Sequence, residues 1–187
     1  NFGDTLFGMA MDGAADVGVQ LVIPLKKELG TTTLEGQALL RGVHFVDTKW
    51  DLDFADVHGR ADFSERGFAA DRLSLQAGGQ PAELGLAVGA FCADPAKQVE
   101  AHLRGVLSTQ ALFGHHDELA TLLAQTEGMA PWTVQLAVAK SPIDGRAAGA
   151  EVRYASDLQG IAVKFPAPLG KAAGDTLPLR LKVQLPP

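Results

Sequence analysis

Strict alternation of apolar and polar residues is the feature that most limits what this chain can fold into. Side chains of a β-strand point to opposite faces with a period of two, so each alternating run predicts a strand with one apolar and one polar face. A late run spans residues 177–185. An early run has its apolar members at Val17, Val19, Leu21, Ile23 and Leu25. The sequence therefore predicts a mainly β protein.

Glycines and changes of phase indicate where these strands turn or bulge. Asp12-Gly13 is a dipeptide typical of two-residue hairpins, and Gly78-Gly79 separates two further alternating runs. The apolar phase changes after Leu40, which predicts a β-bulge near Leu39 to Gly42, and it changes again at Ala55-Asp56, which predicts a second bulge or bend. Pro24 has no N–H to donate to a strand ladder, so the first strand belongs at a sheet edge or near its own end.

One stretch interrupts the strands with helical spacing. In HHDELATLLAQTEG, residues 115–128, the apolar positions Leu119, Leu122 and Leu123 lie on one helical face. Asp117 is the predicted N-cap and Gly128 the predicted end of this helix. The preceding STQALFG predicts a single helical turn.

The whole pattern predicts about eleven strands without the strand–helix alternation of a parallel sheet. We expect a first β segment over 1–106, a helical insertion over 107–130 and an antiparallel meander over 131–187. The four predicted strands of that meander are WTVQLAVAK, AEVRYAS, GIAVKFP and LPLRLKVQL.

Composition restricts the function classes. The formal net charge is -6 and hydrophobic residues make up 47% of the chain, which favours a folded protein and argues against nucleic-acid binding. No apolar run approaches the roughly 18 residues of a spanning helix. The chain lacks an initial Met, and its last alternating run stops at full strength. We therefore expect a single fragment excised from a longer polypeptide.

Catalytic and metal motifs are weak. His115-His116-Asp117-Glu118 does not match HExxH, Gly170-Lys171 does not complete a phosphate loop, and no GxSxG elbow is present. The lone Cys92 is most simply a small buried hydrophobe. We expect no cofactor, no metal and no enzymatic activity. A hydrolase would need a polar cluster that this sequence does not display.

The apolar side of a long antiparallel sheet has to be hidden from water, and three architectures achieve this. A sandwich covers it with a second sheet, a closed barrel encloses it, and a curved open sheet leaves it as a groove for an apolar ligand. The alternation fits all three. It does not choose between them.

Several segments resemble the periplasmic region of the YhdP branch of AsmA-like proteins. They are VQLVIPLK at residues 19–26, GRADFSERGFAADRL at 59–73, the strand that opens at Trp132, and SDLQGIAVKFPAPLGKAAGDTLPLRL at 156–181. The last is the most specific, with a Ser-Asp-Leu turn, Gly-Ile-Ala and a Pro-x-Pro-Leu-x-Lys corner. Phe165 stands where the family pattern has leucine.

This resemblance implies a long curved antiparallel sheet, groove or taco-like, with one or two short helices. It also implies a periplasmic location within a protein held in the inner membrane of a Gram-negative bacterium by an anchor that is absent here. The implied function is non-enzymatic phospholipid transport toward the outer membrane, in support of envelope integrity. The expected partners are a phospholipid or other acyl-chain ligand, the inner membrane and possible envelope proteins. A structural or assembly module, whose apolar face packs against neighbouring segments or a partner, is the alternative.

The apolar strand positions are the candidate lining of such a groove. Each of them has a second interpretation as ordinary core, and Leu119, Leu122 and Leu123 would either close one end of the groove or pack beneath the helix. The candidates are Val17, Val19, Leu21, Ile23, Trp132, Val134, Leu136, Val138, Ile161, Val163, Phe165, Leu179, Leu181 and Val183.

Overall fold

The computed structural model describes residues 9–26, 30–47, 52–141 and 149–185. Within them the chain is mainly β-strand with two short α-helices, as the sequence predicts. The first strands are β1 (Met9–Val22), β2 (Thr33–Asp47), β3 (Leu52–Ser64), β4 (Gly67–Ala77), β5 (Gln80–Gly89) and β6 (Lys97–Leu107). The later elements are α1 (Thr109–Phe113), a 3₁₀ turn (Asp117–Leu119), α2 (Ala120–Leu123), β7 (Thr126–Gly128), β8 (Ala130–Ala139), β9 (Ala150–Ser156), β10 (Ile161–Val163) and β11 (Leu179–Leu185).

Nine of the described strands form one antiparallel sheet. Their order is β1-β2-β3-β4-β5-β6-β8-β9-β11, and β7 pairs with β10 in a separate two-stranded sheet. Within the described residues β1 and β11 lie at opposite edges and do not pair with each other, so the large sheet is open and is not a closed barrel. The edge position of β1, which ends just before Pro24, confirms the interpretation of that proline.

The predicted hairpin at Asp12-Gly13 is wrong. β1 runs through these residues along β2, with a register shift between Asp12 and Ala14. Gly13 has a φ of 136°, and a Cβ at this position would lie 2.8 Å from the Cα of Val43. The glycine therefore serves a β-bulge, because pairing with a distant strand overrides the local turn signal.

The other predicted irregularities are confirmed. The pairing of β2 with β3 has a register shift between Leu40 and Val43. The pairing of β3 with β4 has one between Ala55 and His58. Gly78 and Gly79, with φ values of 56° and 74°, close the two-residue turn between β4 and β5. Positive φ at both turn residues is the backbone geometry that favours glycine in such hairpins.

Residues 115–128 form less helix than predicted. The 3₁₀ turn leads into the four residues of α2, and no side chain caps either element. Gly128 ends β7 instead of a helix, because Thr126–Gly128 pairs with Ile161–Val163. The single turn predicted before this stretch is confirmed as α1, where the Ser108 hydroxyl accepts a hydrogen bond from the Ala111 N–H at 3.1 Å.

The predicted four-strand meander is correct for three strands and wrong for GIAVKFP. β8, β9 and β11 are neighbours in the large sheet. The GIAVKFP segment contributes β10, which pairs with β7 outside that sheet. Ile161 in β10 is 1% exposed, so this segment packs over the sheet and does not extend it.

Candidate functional site

Cross-strand register places apolar side chains from all nine strands on one face of the large sheet. Facing residues of antiparallel strands point to the same side, so successive register pairs trace a row across the sheet. The row that we call the outer row consists of Val19, Gly36, Phe63, Phe68, Val88, Val99, Val138, Ala150 and Leu185. It contains no polar side chain.

A second row crosses the same face nearer to the other ends of the strands. This inner row consists of Ala15, Leu40, Gly59, Leu73, Leu84, Leu103, Val134, Tyr154 and Leu181. We call the surface formed by both rows and the side chains between them the apolar face. The alternation seen in the sequence is thus aligned from strand to strand across the whole sheet.

Two chain segments cover part of the apolar face, and together we call them the cover. They are residues 108–129, between β6 and β8, and residues 157–178, between β9 and β11. The β7–β10 pairing joins them, and a salt bridge of 2.5 Å links Lys164 to Glu127. The cover is therefore one layer built from two parts of the chain.

The cover packs on the sheet through one apolar cluster. Four inner-row residues, Leu40, Leu84, Leu103 and Tyr154, pack against this cluster, whereas no outer-row residue belongs to it. Its buried members include Phe113, Leu123, Leu158 and Ile161 from the cover and Val43, Phe54, Leu75 and Trp132 from the sheet. The cover thus shields the inner side of the apolar face and leaves the outer row outside the cluster.

Trp132 is the centre of the covered part. The residue is 2% exposed, and its ring meets that of Phe113 edge-to-face with centroids 5.9 Å apart. Phe113 also contacts Tyr154, with centroids 4.9 Å apart. Burial raises the pKa of the Tyr154 hydroxyl. These contacts fix α1 on the sheet.

Lys171 fastens the second segment of the cover. Its ammonium donates to the carbonyl oxygens of Leu158, Ile161 and Ala172 at 2.9, 2.8 and 3.0 Å. Three acceptors satisfy all three donors of an ammonium group. This lysine, the last residue of the Pro-x-Pro-Leu-x-Lys corner, therefore has a structural role in the cover.

Beyond the cover, most of the apolar face is accessible to solvent, although Ala150 in the outer row is 5% exposed. On β1, Val17, Val19 and Leu21 are 60%, 58% and 52% exposed. Val88, Val99 and Val138 in the middle of the outer row are half-buried. An apolar row that continues across nine strands outside the core cluster, as the outer row does, is a feature typical of binding surfaces.

The opposite face of the sheet is polar and carries paired charges. A depression of about 940 Å³ on β6, β8, β9 and β11 is lined by residues that include Glu100, Glu151 and Arg153. Glu151 pairs with Lys182 and Arg153, each at 2.5 Å. The hydrogen bond from Lys182 is the main cause that lowers the pKa of Glu151, burial opposes it, and Arg153 adds to it. Opposite charges neutralise one another here.

The described residues contain neither a metal-binding cluster nor a membrane-spanning helix. His, Cys, Asp and Glu side chains form no group of three or more that is arranged to hold a metal ion. No helix in the same residues combines the length and the apolar character needed to cross a bilayer.

Comparison with known protein families assigns the chain to one family. The sequence model described as YhdP protein matches residues 1–187. The chain belongs to the YhdP family. No curated protein and no solved structure gives a match. The resemblance of the SDLQGIAVKFPAPLGKAAGDTLPLRL segment to the YhdP branch of AsmA-like proteins is thereby confirmed.

In this member of the YhdP family, the predicted lining residues fall into two environments. The first is the apolar face, where those on β1 and β11 are exposed or half-buried and those on β8 are half-buried. Ile23, just after β1, is 59% exposed. The residues on or next to this face outside the core are Val17, Val19, Leu21, Ile23, Val134, Leu136, Val138, Leu181 and Val183.

The second environment is the core and the cover. Trp132 and Ile161 are buried, and Leu179 packs against their cluster. Val163 and Phe165 are half-buried in the cover, outside the large sheet. Of the helix leucines, Leu123 is buried in the core and Leu122 is 48% exposed.

Sequence reasoning did not select the lining residues of the central strands. Their alternation signalled an apolar face, but only the register shows which of them share a row with the β1 and β8 candidates. They are Leu34, Phe63, Phe68, Leu86, Val88 and Val99.

Proposed function

We propose that this chain is a non-enzymatic, lipid-binding or lipid-conducting segment of a periplasmic protein anchored in the inner membrane. In this proposal the acyl chains of a phospholipid lie on the uncovered part of the apolar face. The whole protein then takes part in phospholipid transport toward the outer membrane and in envelope integrity. Membership of the YhdP family is compatible with this function.

The hydrophobic effect explains why an apolar surface would carry a lipid through water. Each CH2 group removed from water contributes about 0.8 kcal/mol, so a chain of roughly fifteen methylenes crossing water unshielded costs on the order of 12 kcal/mol. A continuous apolar surface removes much of this cost. Because such contacts are not directional, the lipid is able to slide from strand to strand.

The outer row is the observation that carries the proposal. It is apolar at every strand from Val19 on β1 to Leu185 on β11, and it lies outside the cluster that joins sheet and cover. A row used only for internal packing would be covered by another layer of the fold. In the described residues the covering layer contacts the other end of the strands.

Site-specific photocrosslinking in cells tests the proposal. A photoreactive residue at Val19, Val99 or Val138 is expected to capture phospholipid, which mass spectrometry of the purified adduct identifies. Gln37 on β2 is the matched control, because it pairs with Gly18 and so faces the polar side. Equal lipid capture at Gln37 and at the outer row, or no capture at either, would contradict the proposal.

A structural or assembly module is the second candidate. The exposed Val17, Val19 and Leu21 on an edge strand favour it, because an edge with apolar side chains also suits packing against a neighbouring segment or a protein. Purified protein free of lipid by mass spectrometry, together with crosslinks from Val19 to protein alone, would support this alternative.

A further inference from the structure

A small depression lies at the rim of the apolar face. Its volume is about 400 Å³, and it is lined by Arg66, Gly89, Ala90, Gln98, Lys140 and Ser141. Gly89 follows Val88, Gln98 precedes Val99, and Lys140 comes two positions after Val138. The depression therefore borders the middle of the outer row, where the apolar face meets the connections between strands.

Backbone hydrogen bonds tie the main chains of the two basic residues of this depression to one connection between strands. Arg66 lies in the turn between β3 and β4, and its carbonyl accepts from the Ala90 N–H at 3.0 Å. The Lys140 N–H donates to the carbonyl of Ala96 at 2.8 Å. The connection from β5 to β6 thus holds both residues, although they are far apart in the sequence.

The acidic groups near this rim have other partners. The Glu65 carboxylate accepts from the Leu34 N–H at 3.2 Å. Asp94 and Glu100 pair with Lys97 at 3.6 and 3.2 Å. In the part of the chain that the structure describes, neither Arg66 nor Lys140 has an ion-pair partner.

We propose that this depression binds the phosphate of a glycerophospholipid headgroup through Arg66 and Lys140, while the acyl chains lie on the outer row at Val88, Val99 and Val138. A guanidinium and an ammonium are the side chains that bind phosphate most strongly, through charge-assisted hydrogen bonds. This inference rests on the proposed function and adds a polar subsite at one place along the apolar face. The same chemistry would also bind free phosphate.

Short-chain lipids with and without a phosphate distinguish binding of the headgroup from binding of the acyl chains. We suggest measuring the Kd of dioctanoyl phosphatidylglycerol and of dioctanoylglycerol, which has no phosphate, for the unaltered chain and for the double variant Arg66→Gln, Lys140→Gln. Arg104→Gln, Arg180→Gln is the matched control, because it removes the same charge from exposed positions on the polar face. Inorganic phosphate serves as the second probe, followed by the side-chain NMR signals of Arg66 and Lys140.

If the depression binds the headgroup, the double variant Arg66→Gln, Lys140→Gln is expected to bind dioctanoyl phosphatidylglycerol about tenfold or more weakly. Its binding of dioctanoylglycerol is expected to be unchanged. The control variant is expected to bind both lipids like the unaltered chain. Equal binding of the two lipids by the unaltered chain, or equal weakening by both variants, would overturn the headgroup site and leave the proposed function intact. No binding of either lipid would overturn the proposed function itself, and phosphate-dependent signals in that case would assign the depression to free phosphate.

Discussion

The indole N–H of Trp132 donates to the carbonyl oxygen of Leu107 at 3.1 Å, beneath the cover. Both residues are almost fully buried, so this carbonyl has no access to water. The contact ties the end of β6 to the start of β8, the two strands that the first segment of the cover connects. It explains why Trp132 belongs to the core although it begins an alternating strand.

Trp132→Phe is expected to lower the free energy of unfolding by about 1–3 kcal/mol, because it removes a buried hydrogen bond and part of a packed ring. Urea unfolding followed by circular dichroism measures the change. Gln135→Ala on the exposed side of the same strand is the control and is expected to shift stability by about 0.5 kcal/mol or less. Equal stability of the two variants would show that the hydrogen bond is dispensable.

Gly36→Ala is expected to destabilise the sheet by about 1–3 kcal/mol through overpacking. A Cβ at this position would clash with the Phe63 ring and lie 2.6 Å from the carbonyl oxygen of Gly18. Gly18→Ala is the matched control on the neighbouring strand, since its nearest contact would be the Gln37 Cγ at 3.8 Å. Thermal unfolding of both variants tests this, and a Tm loss in Gly18→Ala as large as that in Gly36→Ala would contradict it.

Val19→Asp is expected to reduce lipid crosslinking at Val99 several-fold while costing about 1 kcal/mol or less in stability, because Val19 is 58% exposed. A carboxylate on the outer row has to be desolvated when an acyl chain covers it. Gln20→Asp places the same charge on the opposite face of β1 and should leave the crosslink unchanged. Unaltered lipid capture in Val19→Asp would argue that acyl chains do not reach β1.

Lys171→Met is expected to loosen the cover. It leaves the carbonyls of Leu158 and Ile161 without the ammonium, at a cost of about 1–3 kcal/mol. Amide hydrogen exchange should accelerate at Ile161 and Val163 more than in β8. Lys182→Met, which breaks an ion pair between the exposed Lys182 and the half-buried Glu151, should change stability by about 1 kcal/mol or less. Unchanged exchange in β10 of Lys171→Met would contradict the proposed fastening.

Glu151 is expected to titrate below the ordinary glutamate range, because Lys182 and Arg153 favour its charged form and thereby lower its pKa. Its contribution to stability is then fully present above the pKa of an unfolded glutamate, and it is lost as the pH falls through the lower pKa of the folded state. Carboxyl carbon NMR shifts measure this titration. The pKa of Glu151 should rise in Lys182→Met, and an unchanged value would show that the pairing is not maintained in solution.

The sequence pattern predicted those parts of the fold that depend on residues close to one another in the chain. Alternation identified the strands, and the phase changes near residues 39–42 and 55–56 identified two irregularities in the strand register, because the period of two reports directly which face a residue occupies. The turn at Gly78-Gly79 followed from the positive φ that glycine tolerates. These features need no knowledge of the partner strand.

Pairing between strands that are distant in the chain explains the predictions that were wrong. Gly13 carries the same signal in a bulge as in a hairpin, and only its position opposite Val43 distinguishes the two. Residues 126–128 leave the predicted helix because they pair with β10, some 35 residues later in the chain. Trp132 and Val138 lie on the same face of β8, yet only the first is covered, because the cover comes from other parts of the sequence.

The two-part construction of the cover has a consequence for the order of folding. Residues 108–129 and 157–178 flank β8 and β9 in the chain, so they meet above the sheet only after those two strands have found their register. Bringing two segments together that are distant in the chain costs conformational entropy before any contact is gained. We therefore expect the cover to form late in folding. The contacts of the cover should be largely absent from the transition state for folding. Substitutions in Phe113 or Ile161 are then expected to raise the unfolding rate more than they lower the folding rate.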